Sequence, residues 1–391
     1  MPQAALAALV LFTAATTFAA DAPPPNEALG SILFWTPTQQ ETGYRSIENI
    51  FPTRVIKAGT SAYPLPVAGD AFDVSYGFRG VQWTTDSFMK ANRVSGLLII
   101  KDGRIVLERY GLGRTAADRW TSFSVGKSVT ATLIGAAIQD GSIKSLEAGV
   151  TDYLPGLKGS TYEGVTIRHL LTMTSGVKWN EDYADPNSDV ALFAAGAPGP
   201  DGENPIVAYM AKLPREAAPG TKFVYKTGES DLIGVLLERA TGKRPAEYLS
   251  EKIWSKFGME QDGLWMLDRA GVELGGCCIS MTLRDYGRFG LFILNGGVAG
   301  GEQVVPADFL AQATRSQVKS HIPIYDYGFQ WWIHPDGAYE ASGIFGQSIY
   351  VVPAEKLVIV TNSAWAQAEM MEMYANKDVY VEAVRRALGG R

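Results

Sequence analysis

A serine and a lysine lie three residues apart in the segment Ser122–Ser128, which reads SFSVGKS. The run that follows, Val129 to Ala137, is apolar and rich in small residues, as is typical of a helix buried in a domain centre. If a helix begins near Ser124, positions i and i+3 share one face, so the Lys127 amine lies beside the Ser124 hydroxyl. A neighbouring base activates a serine nucleophile, and free N–H groups at a helix N-terminus can stabilise an oxyanion. The pattern therefore predicts acyl-transfer chemistry at Ser124.

The same spacing occurs four times, at Ser87/Lys90, Ser124/Lys127, Ser175/Lys178 and Ser316/Lys319. Spacing alone also fits a helix-capping serine followed one turn later by a solvated lysine. Only the Ser124 pair opens a long apolar helix, and this context favours a catalytic role for that pair.

A third group is needed to carry a proton to the leaving atom of a substrate. Tyr225 follows a Pro-Gly turn and a short extended piece, and it stands just before a helix predicted over Glu229 to Ala240. We expect a nearby lysine ammonium to lower the pKa of this phenol. The alternative is a half-buried tyrosine whose hydroxyl bonds only the backbone.

Composition limits the classes of function. A net charge of −6 argues against nucleic acid as a partner, because nucleic-acid binding calls for a basic face. The two cysteines, Cys277 and Cys278, are adjacent, and since neighbouring residues seldom close a disulfide we expect two small buried thiols. No Cys-x-x-Cys or His-x-x-x-His spacing occurs, so the sequence predicts neither a metal nor another cofactor.

The first residues suggest export. Ala4 to Ala19 form an apolar run that ends before a triple proline, which predicts a signal peptide over residues 1–22. The usual basic start is missing, because Arg45 is the first Lys or Arg of the chain. A packed N-terminal helix is the competing interpretation. Export predicts a periplasmic or secreted protein, with no stable membrane insertion afterwards.

The remaining chain, residues 23–391, is long enough for two lobes around one cleft. Leu97 to Ile100 and Ile105 to Leu107 flank an Asp-Gly turn, which predicts a hairpin of a central antiparallel sheet. Further strands are predicted at Tyr327–Ile333, Ala338–Ile344, Ser348–Val352 and Leu357–Thr361. The fold class is α/β (α+β): a sheet lobe from about 26–140 and 275–391 flanked by helices, with a mostly helical lobe inserted at about 141–274.

These motifs together resemble the penicillin-recognising serine hydrolases, which include class C β-lactamases, D-Ala-D-Ala carboxypeptidases and related esterases. The string Leu170–Gly176 is similar to a family motif, and Tyr225 stands about a hundred residues after Ser124. Within the family the chain looks most like the 6-aminohexanoate-dimer (nylon oligomer) hydrolases. The strings that support this likeness are Trp179–Pro186, Gln330–Trp332 and Gly343–Gln347.

The resemblance implies a role for each matching residue. Ser124 is the nucleophile, Lys127 its base and Tyr225 the proton shuttle, while Thr227 keeps a hydroxyl in the second motif. The backbone N–H groups of Ser124 and Ile344 are the expected oxyanion donors. Tyr183, Trp331 and Phe345 are the expected substrate-binding residues. The fold implied is that of the β-lactamases and transpeptidases, and the partner is a small-molecule amide or ester.

One departure from the family bears on specificity. The third motif falls at Ala341-Ser342-Gly343, where β-lactamases and carboxypeptidases carry a cation that holds a substrate carboxylate. We therefore expect a serine hydrolase of linear amides or small esters, with a β-lactamase or D-Ala-D-Ala carboxypeptidase as the alternative. A catalytically silent binding or sensor protein is the alternative from another class, but such a protein is expected to lose Ser124, Lys127 or Tyr225.

Overall fold

The computed structural model describes residues 29–69, 72–193, 202–268 and 270–389, so the predicted leader at 1–22 lies outside the described residues. An eight-stranded antiparallel sheet forms its centre, in the order β11-β12-β13-β14-β15-β16-β4-β5. The strands are β1 (Thr53–Ile56), β2 (Ser75–Phe78), β3 (Val81–Thr84), β4 (Val94–Lys101), β5 (Arg104–Tyr110), β6 (Trp120–Thr121), β7 (Gly263–Met266), β8 (Ile279–Met281), β9 (Val298–Ala299), β10 (Glu302–Gln303), β11 (Val318–Lys319), β12 (Asp326–Tyr327), β13 (Trp332–Ile333), β14 (Tyr339–Gly343), β15 (Gln347–Val352) and β16 (Leu357–Ser363).

Helices pack on both faces of the central sheet, and α3 to α11 lie in the part of the chain between β5 and β11. The α-helices of the described residues are α1 (Pro37–Gly43), α2 (Thr85–Ala91), α3 (Val125–Gln139), α4 (Val150–Tyr153), α5 (Ile167–Leu171), α6 (Asp189–Leu192), α7 (Pro205–Met210), α8 (Thr227–Thr241), α9 (Pro245–Leu249), α10 (Leu283–Leu294), α11 (Ala307–Ala313) and α12 (Met371–Ala387). A π-helical turn, Ser250–Gly258, continues α9. None of these helices is both long enough and apolar enough to cross a lipid bilayer.

Both faces of the central sheet are buried, because successive side chains of a strand point to opposite sides. In β4, Leu98 and Ile100 belong to the core that contains α3 and α10. Leu97 and Ile99 face the other way and pack in the core that contains α2 and α12. The predicted central antiparallel sheet flanked by helices is thus confirmed.

Several predicted elements are found at their expected places. β4 and β5 form the hairpin, and its turn residues Asp102 and Gly103 have positive φ angles of 50° and 74°, which suits an Asp-Gly turn. Thr166 caps α5, and the helix predicted over Glu229 to Ala240 is α8, which ends at the left-handed Gly242. The division into two lobes at about residues 141 and 275 stays a prediction.

The strand predicted over Tyr327–Ile333 is wrong as a single element. Residues 328–331 instead form a turn that joins β12 to β13, with Gln330 at a φ of 62°. Aromatic residues at 327, 329 and 331 alternate with Gly328 and Gln330, so the period of two continues across the turn and gives no signal for it.

Helix α3 is the buried centre of the molecule, and strand β14 passes directly beside its first turn. All residues from Val125 to Ala137 are buried. The approach of the strand is closest at Gly343, where a Cβ atom would lie 2.7 Å from the Ser122 carbonyl oxygen and 3.0 Å from the Ser124 nitrogen. A glycine is therefore required where β14 meets the start of α3.

We predict that Gly343→Ala lowers the free energy of unfolding by about 1–3 kcal/mol, the usual cost of overpacking a dense site. The backbone atoms that the new methyl group would meet cannot rotate away. Chemical denaturation of the purified variant measures the effect. Gly77→Ala is the matched control, because this strand glycine has its nearest atom 3.7 Å away on a flexible Gln82 side chain. Equal stabilities of the two variants would contradict the assigned contact.

Candidate active site

The predicted serine–lysine pair meets at the start of α3. The chain reaches the helix through Phe123, whose φ of 44° is uncommon for a bulky residue and turns the backbone into the first helical turn. The Lys127 Nζ lies 2.9 Å from the Ser124 Oγ. Ser124 is 8 % exposed and Lys127 is 1 % exposed, so the hydroxyl borders the cleft while the amine is shielded from water. This geometry allows Lys127 to exchange a proton with Ser124 directly.

Two further oxygen atoms fix the lysine amine. Its Nζ lies 3.0 Å from the Thr227 Oγ1 and 2.9 Å from the Gly276 carbonyl oxygen, so three acceptors surround it. Burial lowers the pKa of Lys127 to about 8, against the opposing effect of the carboxylates of Glu181 and Asp231. The lowered pKa increases the neutral fraction of the amine, and the neutral amine is the form that a general base at this position requires.

Glu181 links these groups and was not singled out by the sequence analysis. Its carboxylate accepts hydrogen bonds from the backbone N–H and hydroxyl of Thr227, from the Trp179 indole and from the Tyr183 hydroxyl. It also lies at the N-terminus of α8, where the helix dipole favours an anion. Its position two residues before Tyr183, within the Trp179–Pro186 string, was the signal available in the sequence.

Tyr225 lies over the same pair of residues. The Lys127 Nζ is 5.0 Å from the centre of its ring, and the ring stacks on Trp332 at 5.7 Å. The expectation of a lowered phenol pKa is wrong, because burial and the Glu181 charge together raise the pKa of Tyr225 well above its usual value, and a contact with Ser124 opposes them only in part. Tyr225 is therefore a phenol at neutral pH and can donate a proton.

Two residues on the walls of the cavities have backbone N–H groups without an internal partner. Among the described residues, neither the Ser124 nor the Ile344 N–H donates a hydrogen bond to another protein atom. Both residues line the cavities beside the nucleophile, and Gly343 holds the end of β14 against the Ser124 nitrogen. Unpaired N–H groups beside a nucleophile are the donors that an oxyanion hole needs.

Ser124 borders a cleft of about 530 Å³ and a smaller apolar cavity of about 70 Å³. The cleft is lined by Ser124, Glu181, Tyr183, Tyr225, His321, Ile322, Ile324, Tyr325, Trp332, Glu340, Ser342, Gly343, Ile344, Glu369, Met371, Tyr374, Ala375, Lys377 and Asp378. Tyr183, expected to contact substrate, lies on the walls of both spaces.

The structure does not support the other two expected substrate-binding residues. Trp331 is fully buried and packs on Phe289 and Tyr339, since the turn before β13 directs it into the core. Phe345 is also buried, against Tyr44 and Phe123. The next residue along, Trp332, lines the cleft instead, because neighbouring strand residues face opposite ways.

The charges around the cleft are predominantly negative. Glu181, Glu369 and Asp378 lie on its walls, whereas Lys377 bonds to Glu340. In the third motif the Ala341 side chain is buried in the core and Ser342 borders the cleft. Glu369 makes no hydrogen bond or ion pair with any described residue, and burial together with the Glu181 charge raises its pKa.

The two cysteines correct a further expectation. Cys277 and Cys278 are joined to each other in a disulfide, although adjacent residues seldom pair. Cys278 has a φ of 69°, so the backbone adopts an uncommon left-handed conformation here that the sequence did not indicate. As for metals, no three His, Cys, Asp or Glu side chains within the described ranges come together as ligands would.

Comparison with known proteins places this fold and site in a family. The β-lactamase family model matches residues 81–380, which is more than half of the chain, and the chain therefore belongs to the β-lactamase family of serine hydrolases. The 6-aminohexanoate-dimer hydrolase of Paenarthrobacter ureafaciens is 31% identical over 305 residues, covering 74% of this chain and 78% of that protein.

Two other relatives bear on fold and activity. A solved structure from Bacillus anthracis, provisionally named a 6-aminohexanoate-dimer hydrolase, superposes with a TM-score of 0.79 at 24% identity, covering 90% of this chain and 95% of the other. Esterase EstB of Burkholderia gladioli is 28% identical over 194 residues, which are 46% of this chain and 49% of that protein. The family and the resemblance expected from the sequence are thus confirmed, and hydrolysis of amides or esters is consistent with both.

We predict that phosphonylation of Ser124 by a fluorophosphonate probe becomes faster as pH rises, with a midpoint near the Lys127 pKa of about 8. The reason is that only the neutral amine can accept the hydroxyl proton. Glu181→Gln removes an anion that raises the pKa of Lys127, so the midpoint should move to lower pH. Labelling rates between pH 5 and 10 measure both effects. A midpoint unchanged by Glu181→Gln would contradict the coupling.

Proposed function

We propose that this protein hydrolyses linear amides or small esters through an acyl-enzyme on Ser124, with Lys127 as general base and Tyr225 as general acid. The observation that supports it most is the 2.9 Å contact between the Ser124 hydroxyl and a buried amine of lowered pKa. A serine hydroxyl is a weak nucleophile, and an adjacent base activates it by accepting its proton.

Acylation begins when neutral Lys127 takes the hydroxyl proton and the Ser124 oxygen attacks the substrate carbonyl carbon. The resulting oxyanion lies against the N–H groups of Ser124 and Ile344, each worth ~3 kcal/mol by analogy with other oxyanion holes. Tyr225 then protonates the leaving amine or alkoxide as its bond to the carbonyl carbon breaks. The Lys127 ammonium then returns its proton to the Tyr225 phenolate, which restores both groups. In deacylation neutral Lys127 takes a proton from the attacking water and Tyr225 protonates the Ser124 oxygen as the acyl group leaves, and the same return of a proton from Lys127 to Tyr225 completes the cycle.

Lys127 rather than Tyr225 acts as the base in this proposal. Burial favours the uncharged form of each group, and that form is an amine for lysine and a phenol for tyrosine. The amine can accept a proton and the phenol can donate one. The contact of Lys127 with the Gly276 carbonyl keeps the amine in place while its proton content changes.

The charges of the cleft favour this function over a β-lactamase or D-Ala-D-Ala carboxypeptidase. Substrates of those enzymes carry a carboxylate, and Glu181, Glu369 and Asp378 would oppose it. Lys377, a lysine on the cleft wall, already bonds Glu340. A silent binding or sensor protein is disfavoured because Ser124, Lys127 and Tyr225 are all retained and brought together.

We also propose a periplasmic or secreted location, as predicted from residues 1–22. The Cys277–Cys278 disulfide supports this location, because disulfides persist mainly in oxidising compartments. Cell fractionation with N-terminal sequencing of the protein tests it. Recovery of uncleaved protein in the cytosol alone would contradict export.

The central test is substitution of the serine and the lysine. We expect Ser124→Ala to abolish turnover of p-nitrophenyl butyrate and Lys127→Met to reduce kcat/KM by ~10² or more, the usual weight of a positioned base. Lys319→Met is the matched control, since it alters another Ser-x-x-Lys pair whose lysine is 87% exposed and bound to Asp326. Retention of turnover in Ser124→Ala would overturn the proposal.

A second prediction separates the acid from the base. Tyr225→Phe should reduce kcat/KM by about 10² or more for amides and by much less for p-nitrophenyl esters, whose leaving group needs little protonation. Stopped or continuous assays on a linear amide dimer and on the butyrate ester measure the ratio. Equal losses on both substrates would count against Tyr225 as the leaving-group acid.

A third prediction concerns charge. The wild-type protein should process p-nitrophenyl butyrate in preference to nitrocefin, which carries a carboxylate. Glu369→Gln removes an unpaired carboxylate from the cleft wall and should raise the nitrocefin-to-butyrate ratio of kcat/KM. Glu372→Gln is the control, because this residue pairs with Arg79 on the surface and is not on the cleft wall. A wild-type preference for nitrocefin would contradict the assignment of the cleft charges.

A further inference from the structure

The disulfide between Cys277 and Cys278 lies in the segment that carries an acceptor of the Lys127 amine. The preceding residue, Gly276, accepts from Lys127 Nζ through its carbonyl oxygen at 2.9 Å. The Gly276 N–H donates to the Asp231 carboxylate, also at 2.9 Å. Hydrogen bonds thus connect the two peptide units of Gly276 to the Lys127 amine and the Asp231 carboxylate.

The other end of the segment is tied to the nucleophile turn. The Cys278 N–H donates to the Phe123 carbonyl at 3.3 Å, and the Ile279 N–H donates to the Ser122 hydroxyl at 2.9 Å. A Cβ atom placed on Gly126 would lie 3.1 Å from the carbonyl carbon of Cys277. The disulfide therefore lies between Phe123, which precedes Ser124, and Gly276, which accepts a hydrogen bond from Lys127.

Gly276 itself has no room to move toward α8. A Cβ atom there would lie 2.9 Å from both the Cγ2 and the carbonyl oxygen of Thr227. Because Thr227 also accepts from Lys127, a small displacement of the Gly276 peptide would alter two of the three contacts of the amine.

Both cysteines also line the smaller cavity beside Ser124. The rest of that cavity is mostly apolar and includes Leu33, Val190, Phe193 and Met266. The Ser124 hydroxyl and Tyr183 connect it with the larger cleft. A short alkyl group attached to a carbonyl carbon at Ser124 would find apolar surface there, with the disulfide as part of its wall.

We propose that the Cys277–Cys278 disulfide is a positioning and specificity element: it holds the Gly276 carbonyl against Lys127 and forms a wall of the pocket for a short acyl chain. The inference rests on the proposed role of Lys127 as the base. The disulfide closes a small ring around the peptide bond that joins the two cysteines, and this ring fixes the backbone immediately after Gly276.

The effect of this disulfide must be local. Disulfides stabilise proteins mainly by closing long loops in the unfolded chain, and a bond between adjacent residues closes no such loop. Reduction breaks the S–S bond and gives two thiols, whose sulfur atoms can no longer remain at bonding distance. The backbone on either side is then released, and the cavity wall changes shape, without any large change in the chain entropy of the unfolded state.

The first measurement is a thiol count, which is unambiguous because the chain has only two cysteines. The protein unfolded in guanidinium without reductant should show no free thiol. After treatment with a phosphine it should show two, as the disulfide takes up two electrons and two protons while phosphine and water become phosphine oxide. Two free thiols in the untreated protein would overturn the inference.

The second measurement compares oxidised protein, phosphine-reduced protein and the double variant Cys277→Ser/Cys278→Ser. We expect kcat/KM for p-nitrophenyl butyrate to fall about tenfold or more on reduction, the scale expected when a reacting group is misplaced by a fraction of an ångström. Activity on the acetate ester should fall less, since acetate barely enters the pocket. The midpoint of the pH profile should move to lower pH, because loss of the Gly276 acceptor destabilises the lysine ammonium.

The double variant provides the control, because phosphine should not change its activity, its pH midpoint or its acetate-to-butyrate ratio. If that variant does not fold, the comparison of oxidised with reduced wild-type protein still decides the matter. Identical pH midpoints and ester ratios in those two forms would overturn the inference and leave the proposed function standing. Failure of the oxidised protein to become phosphonylated at Ser124 would instead overturn both.

Discussion

The buried amine of Lys127 is the constraint on which the site depends. An ammonium group taken out of water is costly, and the usual outcome is a pKa lowered toward neutrality. The protein compensates with three oxygen acceptors, from Ser124, Thr227 and Gly276, and with two carboxylates at longer range, Glu181 and Asp231. A buried amine held in this way has the position and the lowered pKa that the proposed role as a base requires.

Each acceptor is delivered by a different element, and this explains the architecture around the site. Ser124 begins the buried helix α3, Thr227 begins α8, and Gly276 precedes β8. Glu181 connects Thr227 to Trp179 and Tyr183, so the loop that closes one side of the cleft is tied to the position of the base. Strand β14 completes the arrangement, because the glycine at 343 lets its end approach the Ser124 backbone and leaves Ile344 on the cleft wall.

Local signals in the sequence were sufficient to predict that Ser124, Lys127 and Tyr225, the residues proposed to do the chemistry, lie together. The hydroxyl–amine spacing at Ser124, the buried helix after it and the turn before Tyr225 each have a local physical cause, and the structure brings these groups together. The hairpin at Asp102-Gly103 was predictable for the same reason. Which face of the strand borders the cleft was not predictable: Trp331 is buried with Tyr327, Phe329 and Ile333, and Trp332 lies on the cleft wall. Phe345 failed as a substrate-binding residue because burial depends on distant partners such as Tyr44. The disulfide was not predicted because adjacent cysteines seldom pair. Its formation here accompanies a left-handed backbone conformation at Cys278, for which the sequence gives no signal.

The most direct test of this account is the covalent intermediate itself. The protein is mixed with a slowly hydrolysed ester, quenched in acid within the first turnover, and analysed by intact-mass and peptide mass spectrometry. We expect a mass increase equal to one acyl group, located on the peptide that contains Ser124, and its disappearance as hydrolysis proceeds. Turnover of the ester with no acylated species, or with the acyl group on any other residue, would contradict the central claim that Ser124 is the nucleophile of a serine hydrolase.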